Sequence, residues 1–378
     1  LKAAPGPPSA RWAALPPADC RTRWQEASMF GGSPFGSAPD DGQPQPIKDP
    51  NTNGDTPAPD PPTDSISCLA WSSSSNVLAA GSWDNSTRVW QVQNDGSSVS
   101  TSLVANYSAD APVLCCGFTR DGLQLVSGGC DKKVRVRDLR AQKDQELGMH
   151  DEPVKELAVV DDLGLVVSGS WDKTLRFWSA QQQKPVATIQ LPERVYAMDM
   201  KFPTLLVGTA DRHILTFDLN KVQHNPAPER QHFSQLKMQT RSLSIFPDRT
   251  GYAVGSIEGR CGITPFSSPQ SSSFTFKCHR TDQSINAVNS IDFNLAYGTF
   301  ATAGSDGVVN FWDKDRRQRL KNFNSCYYPI TAGKFSPDGA MYAYGVSYDW
   351  SRGHEMHRPD LPRQVLIHIN QNNEIQRR

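Results

Sequence analysis

The sequence lacks an excess of charge of either sign. Its 378 residues include 39 Lys and Arg and 39 Asp and Glu, so the formal net charge at pH 7 is zero. A chain that wraps nucleic acid over its whole surface would be strongly basic, and an acidic solvating tail would be strongly negative. Both classes are excluded, and any nucleic-acid site must be a local basic patch.

Long apolar runs and the common motifs of enzymes and metal sites are also missing. No run approaches the roughly 20 apolar residues of a membrane-spanning helix, so no membrane insertion is expected. The eight cysteines show neither CxxC spacing nor the density of a disulfide-stapled domain. Neither GxxxxGK[ST] nor GxSxG occurs, and the adjacent Cys278 and His279 have no second ligand pair nearby. No metal, cofactor or catalytic residue is therefore predicted, and the chain is not expected to be an enzyme.

Proline is abundant, and its distribution divides the chain. Fourteen of the 28 prolines fall in residues 1–62, where branched aliphatic residues are few. Such a segment cannot bury enough apolar surface to fold, so a disordered N-terminal extension is predicted there. Met29 opens a stretch with two Phe-Gly pairs. Residues 1–28 are interpreted as translated from upstream of the natural start, and a cleaved targeting peptide is the alternative.

A repeat of about ten residues runs through residues 63–378, among short apolar runs typical of an all-β fold. Residues 81–90 (GSWDNSTRVW) recur as 128–137 (GGCDKKVRVR) and as 169–178 (GSWDKTLRFW). Weaker copies begin at Gly208, Gly255, Ala303 and Val346. The spacing of the copies straddles the roughly 40 to 45 residues of a WD40 blade. Seven copies predict a seven-bladed WD40 β-propeller.

Closure of the ring requires one strand from the N-terminal side. Each copy is interpreted as a strand, a tight turn carrying Asp and a second strand, within a four-stranded antiparallel blade. The last blade is then completed by an N-terminal strand. The segment 45–52, centred on residues 47–52, is predicted to supply it, with residues 365–369 as its partner. Prolines next to the segment are compatible with an edge strand.

Four residues resemble a hydrolase triad but are predicted to be structural: His150, Ser168, Asp172 and Trp178. A histidine with Asp and Ser invites a catalytic interpretation. However, the Asp position is repeated in most copies of the pattern, at Asp84, Asp131, Asp211, Asp306 and Asp349. A residue that is repeated in nearly every blade serves the blade, so hydrogen bonds between loop, turn and strand are expected.

Several longer stretches resemble the WD-repeat mRNA export factors of the nuclear pore. The resemblance covers nearly all of residues 65–370. The stretches are LPERVYAMD (191–199), GSIEGR (255–260), FTFKCHR (274–280), NAVNSIDF (286–293), GSDGVVNFWDKD (304–315) and SYDWSRGHE (347–355). A sister family, the mitotic-checkpoint propellers, shares the SIEGR-like and FKCHR-like segments, whereas WDKD, SYDWSRGHE and the Phe-Gly segment favour the export factors. The chain departs from the pattern at a proline-rich insertion (47–64) and at Arg137, where Trp is expected.

The resemblance implies a non-enzymatic adaptor in nuclear mRNA export. Its expected partners are the GLEBS motif of a GLFG nucleoporin and single-stranded RNA. Its expected location is the nucleus, with the nuclear pore complex of the nuclear envelope, and also the cytoplasm. The alternatives are a spindle-checkpoint adaptor that binds checkpoint kinases and a substrate receptor of a ubiquitin ligase.

Four residues are predicted to bind the nucleoporin peptide. Trp83 and Trp171 lie in turns where a large aromatic side chain can anchor an extended peptide, although packing between blades explains them equally well. The resemblance implies that Arg241 and Arg260 engage a pair of glutamates in the GLEBS motif. The planar guanidinium suits this role because it meets a carboxylate with two parallel hydrogen bonds.

Two segments are predicted to bind RNA. Residues 312–321 (WDKDRRQRLK) carry five basic and two acidic side chains, and residues 274–280 contribute Phe276, Lys277 and Arg280. Aromatic rings beside cations suit a single strand, because every base has a π-face and every linkage a phosphate. An ordinary solvated loop is the alternative. The resemblance implies a nucleic-acid groove that contains Phe276, Trp312, Lys314, Arg317 and Arg319, although Trp312 also occupies a structural position of the repeat.

Overall fold

The structure is a computed structural model that describes residues 46–182, 184–222, 226–267 and 272–376. The extension predicted to be disordered spans residues 1–62, and its first 45 residues, with the Phe-Gly segment, lie outside these ranges. Seven four-stranded antiparallel sheets form the fold. The first strand of each sheet contacts the first strand of the next, from blade 1 to blade 7 and back to blade 1. The predicted seven-bladed β-propeller is confirmed.

Blades 1 to 3 each consist of four consecutive strands that run from the first strand outward. Their strands are β2 (Ile66–Trp71), β3 (Val77–Ser82), β4 (Ser86–Asn94) and β5 (Val99–Ser108) in blade 1, β6 (Val113–Phe118), β7 (Gln124–Gly129), β8 (Lys133–Asp138) and β9 (Lys143–Met149) in blade 2, and β10 (Val154–Val160), β11 (Leu165–Ser170), β12 (Thr174–Trp178) and β13 (Ala187–Gln190) in blade 3.

Blades 4 to 6 follow the same order, and blade 7 is completed by β1 from the N-terminal side. Their strands are β14 (Val195–Lys201), β15 (Thr204–Thr209), β16 (His213–Asp218) and β17 (Arg230–Phe233) in blade 4, β18 (Thr240–Ile245), β19 (Gly251–Ser256), β20 (Arg260–Pro265) and β21 (Phe274–Lys277) in blade 5, β22 (Val288–Phe293), β23 (Phe300–Gly304), β24 (Val309–Asp313) and β25 (Gln318–Asn322) in blade 6, and β26 (Ile330–Phe335), β27 (Met341–Val346), β28 (Gln364–Ile369) and β1 (Thr56–Pro57) in blade 7. Short 3-10 helices lie at Asp161–Leu163 and His354–Met356, and a one-turn α-helix, α1, at Asn372–Ile375.

The repeated Asp belongs to the turn between the second and third strands of a blade. In blade 3, Asp172 Oδ1 accepts a hydrogen bond from the backbone N–H of Thr174 at 2.9 Å. The residue between them, Lys173, has a φ of 65°. An Asp side chain that satisfies the backbone at such a turn explains why the residue recurs from blade to blade. The position after the acidic residue is left-handed in other blades as well, at Asn85, Lys132, Arg212, Gly259 and Gly307.

The repeated Gly makes room for the neighbouring blade. A Cβ on Gly169 would lie 2.9 Å from Cγ1 of Val195, in the first strand of blade 4. The blades can therefore approach closely and bury branched aliphatic side chains between them, which gives the interiors their close packing. The same juxtaposition recurs at Gly128 with Val154 and at Gly255 with Val288.

The ring is closed a few residues later in the chain than predicted. Residues 46–52 form no strand, whereas β1 pairs with β28 through Thr56 with Ile367 and Pro57 with Leu366. The partner lies within the predicted segment 365–369. Ala58 is 4% exposed and packs in the core between blades 1 and 7, so the part of the proline-rich segment that leads into blade 1 belongs to the folded domain.

A buried polar cluster fixes the closing segment. Asp55 accepts hydrogen bonds from the Tyr344 hydroxyl at 2.5 Å and from His368 Nδ1 at 2.7 Å. The other ring nitrogen of His368 lies 2.9 Å from Glu374 in α1. Burial opposes a charge on His368, but the hydrogen bonds to Asp55 and Glu374 outweigh it and raise the pKa of His368 to about 9. His368 is therefore an imidazolium held between two carboxylates at neutral pH.

Candidate functional sites

A cavity of about 170 Å³ lies among the first strands of the blades. Polar and aromatic side chains from six blades surround it, so it belongs to the ring as a whole. Its lining includes Trp83, Trp171, Arg241, Tyr196, Trp350, Cys68, Lys155, Glu156, Lys334 and Asp349. Aromatic walls with a few charged groups are typical of sites that bind a side chain or a short segment of a partner.

Trp83 and Trp171 are buried and also form part of the cavity wall. They are 3% and 4% exposed, so both indoles are packed within the protein. The Trp83 ring lies 5.5 Å from the ring of Trp350, centroid to centroid, at 44°. Both tryptophans nevertheless line the cavity, so a partner would meet them from inside it.

Arg241 projects from β18 into the same cavity. One of its Nη atoms lies 3.4 Å from Oδ1 of Asn289, and Asn289 in turn donates to Asp349 at 3.2 Å. Burial lowers the pKa of Arg241, while Asp349 and Tyr196 oppose the shift. An arginine remains charged in proteins even so, so the cavity holds a cation among aromatic rings. A carboxylate is the side chain that this arrangement suits.

Arg260 is separate from the cavity. It begins β20, two strands outward from Arg241 in the same blade, which is about 10 Å at the usual strand spacing. Its Nε lies 3.7 Å from Oε2 of Glu258. Lys277 is its direct partner in the antiparallel pair of β20 and β21, so the two side chains project from the same face of blade 5. The pair forms a cationic patch at this edge of the propeller.

A ladder of rings and guanidinium groups joins blades 5 and 6. The ring centroids of Phe276 and Trp312 are 4.7 Å apart. Arg317 Cζ lies 4.3 Å from the ring centroid of Phe274, and Arg319 Cζ lies 5.9 Å from that of Trp312. Both arginines are exposed. Phe274 was not predicted from sequence, although its alternation with Phe276 along the strand indicates a shared face.

Two of the six predicted RNA-binding residues lie apart from this ladder. Lys314 Nζ lies 2.7 Å from Oδ1 of Asp315 and 4.8 Å from the Phe246 ring centroid, and its side chain is only 10% exposed. Lys277 projects from the opposite face of β21 to Phe276, because neighbouring residues of a strand alternate. The structure thus brings together Phe276, Trp312, Arg317 and Arg319.

His150, Ser168, Asp172 and Trp178 form one hydrogen-bonded chain in blade 3. The two ring nitrogens of His150 lie 2.8 Å from Asp172 and 2.7 Å from Ser168 Oγ, which also accepts from Trp178 Nε1 at 2.6 Å. Burial lowers the pKa of His150, against the opposing effect of Asp172. The four side chains tie loop, turn and strand together inside the blade.

Blade 6 contains a second chain of this kind, which sequence inspection missed. His279 lies 2.9 Å from Asp306 and 2.8 Å from Thr302 Oγ1, and Thr302 Oγ1 accepts from Trp312 Nε1 at 2.9 Å. Trp312 is therefore a structural residue as well as part of the ring ladder. The His to Asp spacing is 27 residues here and 22 in blade 3, and this difference concealed the correspondence.

Within the described ranges, no three His, Cys, Asp or Glu side chains are grouped so that they could hold a metal ion. No helix in the described part of the chain is both long and apolar enough to cross a membrane.

Comparison with known proteins also indicates WD40 repeats. The profile of the WD domain, G-beta repeat, matches residues 59–91, 100–138, 142–179 and 270–313. The chain is 42% identical over 327 residues to the Poly(A)+ RNA export protein of Schizosaccharomyces pombe, covering 84% of this chain and 91% of that protein. It is 43% identical over 318 residues to Protein RAE1 of Arabidopsis thaliana, covering 83% and 90%. It is 38% identical over 355 residues to the mRNA export factor of Xenopus tropicalis, covering 89% and 93%.

The fold and its repeated turn and strand contacts define a seven-bladed WD40 propeller. Sequence identity of 38 to 43% over more than four fifths of the chain shows which family of WD40 propellers it belongs to. The chain belongs to the family of WD40 mRNA export factors.

Proposed function

We propose that the protein is a non-enzymatic adaptor in nuclear mRNA export that acts at the nuclear pore complex and also occurs in the cytoplasm. In this role it binds the GLEBS motif of a GLFG nucleoporin and single-stranded RNA. The observation that carries the proposal is the ladder of rings and exposed guanidinium groups between blades 5 and 6. The names of its relatives, which include an RNA export protein and an mRNA export factor, agree with such a role.

The RNA part of the proposal rests on the chemistry of the ladder. Arg317 and Arg319 present positive charge to solvent beside partly exposed rings. Nucleic-acid single strands bind where a cationic groove follows the phosphates and aromatic side chains stack on the bases. The contact is local, as the zero net charge requires. It is also tolerant of sequence, because stacking and phosphate contacts do not read base edges.

The peptide part rests on two cationic features of blade 5. Arg241 lies in the cavity with Trp83 and Trp171, and Arg260 with Lys277 lies about 10 Å outward at the strand spacing. An extended peptide with an aromatic or aliphatic anchor and separated carboxylates would match both features. A GLEBS motif with two glutamates is the partner we propose.

Replacing Arg260 with Ala should weaken binding of a GLEBS peptide at least tenfold, equivalent to roughly 1.4 kcal/mol. The loss follows from removing the guanidinium partner of a glutamate, which leaves that carboxylate without a charge-assisted hydrogen bond. Titration calorimetry with a synthetic peptide measures the dissociation constant. Arg230→Ala is the matched control, because it removes an exposed arginine from blade 4. Equal dissociation constants for Arg260→Ala and the parent would contradict the assignment.

The competing functions differ in their partners. An affinity capture from nuclear extract should recover a GLFG nucleoporin and lose it when the Arg260→Ala variant is the bait. Recovery of a checkpoint kinase or a ubiquitin-ligase scaffold in place of the nucleoporin would favour a checkpoint adaptor or a substrate receptor.

A further inference from the structure

Two cysteines from neighbouring blades lie side by side. Cys68 is in β2 and Cys116 is in β6, the first strands of blades 1 and 2, and their Sγ atoms are 3.5 Å apart. The Ser67 hydroxyl donates a 2.5 Å hydrogen bond to the carbonyl of Val113, which ties the two strands together next to the sulfur atoms. Both cysteines are free thiols.

The packing around the pair is specific. A Cβ on Gly81 would lie 2.7 Å from Cys68 Sγ, so the sulfur occupies space that only glycine leaves open. Cys115 precedes Cys116 in sequence but points the other way, with its Sγ 3.5 Å from the carbonyl oxygen of Gly128. Cys115 is 3% exposed, whereas Cys68 and Cys116 are both partly exposed.

One member of the pair also belongs to the wall of the cavity. Cys68 lines the cavity, so a small solute that enters the cavity meets its side chain. The sulfur contact with Cys116 holds the pKa of the Cys68 thiol below its usual range, although burial opposes the shift. Burial and the neighbouring Cys68 hold the pKa of Cys116 well above its usual range. Two adjacent thiols whose pKa values are shifted in opposite directions are an arrangement in which one sulfur attacks an oxidant and the other resolves the product.

We propose that Cys68 and Cys116 form an oxidation site at which hydrogen peroxide creates a disulfide between blades 1 and 2. The Cys68 thiolate attacks one peroxide oxygen, the O–O bond breaks, and a sulfenic acid and water result once the leaving oxygen is protonated. The Cys116 sulfur then attacks the Cys68 sulfur, the S–O bond breaks, and the Cys116 proton leaves with the hydroxyl group as a second water. Two thiols thereby lose two electrons, and one peroxide is reduced to two waters.

The test is peptide mapping of the full-length protein after brief exposure to hydrogen peroxide and alkylation of the remaining thiols. Trypsin releases Cys68 in residues 49–88 and Cys116 in residues 89–120. Non-reducing mass spectrometry should find these two peptides joined with the loss of two hydrogens, and dithiothreitol should separate them. Separate sulfinic or sulfonic acids on the two cysteines, without the joined peptide, would overturn the proposal.

Variants identify which sulfur atoms react. The Cys116→Ser variant should lower the yield of joined peptide at least tenfold, whereas Cys115→Ser should leave it unchanged. The opposite pattern would assign the bond to Cys115 and overturn the proposal. Phenylarsine oxide, which bridges two close thiols, gives a measurement on the unmodified chain. It should protect Cys68 and Cys116 together from alkylation, and protection of neither would also contradict the pairing.

Discussion

Asp55→Ala should lower the free energy of unfolding by about 3 to 5 kcal/mol, the usual cost of removing one partner of a buried ion pair. The Asp55 side chain is only 5% exposed and contacts both Tyr344 and His368. Its loss leaves a buried imidazolium with one carboxylate instead of two and a buried hydroxyl without its acceptor. Because these contacts fix the segment that closes the ring, the whole propeller should unfold at lower denaturant concentration.

Urea unfolding followed by tryptophan fluorescence measures this change. Asp282→Ala is a suitable control, since it removes an exposed carboxylate and should alter the free energy of unfolding by at most about 0.5 kcal/mol. A loss below about 1 kcal/mol for Asp55→Ala would show that the cluster does not stabilise closure.

The same cluster predicts a pH dependence of stability. The pKa of His368 is raised from 6.5 to about 9, so its contribution is fully present below pH 6.5 and is lost as the pH rises toward 9. Burial raises the pKa of Glu374, but hydrogen bonds from His368 and Lys321 prevail and lower it from 4.5 to about 2. Its contribution is present above pH 4.5 and is lost as the pH falls toward 2. The free energy of unfolding should fall less steeply with rising pH in Asp55→Ala than in the parent. An equally steep fall in both proteins would show that His368 is not its cause.

The blades were predictable because their determinants are local. The repeated Gly and Asp lie within ten residues of each other, and each satisfies a steric or hydrogen-bonding need of one turn or one strand pair. Ring closure was harder to locate. The strand β1 has two residues, and Asp55 contacts Tyr344 and His368 across 289 and 313 positions of sequence. No local pattern distinguishes residues 56–57 from residues 47–52 as the closing strand.

Blade 2 shows how a departure from the repeat is accommodated. Arg137 occupies the position at which blades 1, 3 and 6 have Trp. Its guanidinium lies 4.0 Å from the ring centroid of Tyr107 in blade 1, and its Nη1 lies 2.6 Å from Asp144. The long side chain covers apolar surface while its charge is paired at the rim. The presence of Arg137 at this position can be explained only once its partner in the neighbouring blade, Tyr107, is known.

The sequence indicated which residue types form the candidate RNA site. It did not indicate which of these side chains stay exposed or which of them share a face. The cluster of basic residues after Trp312 was visible in sequence, as was Phe276. Which cations remain exposed depends on side-chain pairing: Lys314 lies against Asp315, whereas Arg317 and Arg319 extend over aromatic rings. The face on which Lys277 projects depends on strand register, which sequence fixes only when the strand bounds are known.

These differences sharpen the test of the RNA groove. Changing both Arg317 and Arg319 to Ala should weaken binding of single-stranded RNA and reduce the slope of log K against log salt by about 1.4, since each lost phosphate contact accounts for roughly 0.7. Adding Lys314→Ala should change the slope little further, because Lys314 is paired with Asp315 and nearly covered. Fluorescence anisotropy with a labelled oligonucleotide, repeated across a salt series, measures both quantities.

The matched control replaces Arg140 and Lys143 in blade 2 with Ala. Both are exposed cations at the turn between the third and fourth strands, as Arg317 is in blade 6, and the change in net charge is the same. This control should keep the parent's salt slope, because a distant pair of charges makes no phosphate contact. Thermal stability should barely change in either double variant, since both remove exposed side chains. If Arg317→Ala with Arg319→Ala leaves the affinity and the salt slope at the parent's values while the protein stays folded, the RNA site lies elsewhere on the propeller.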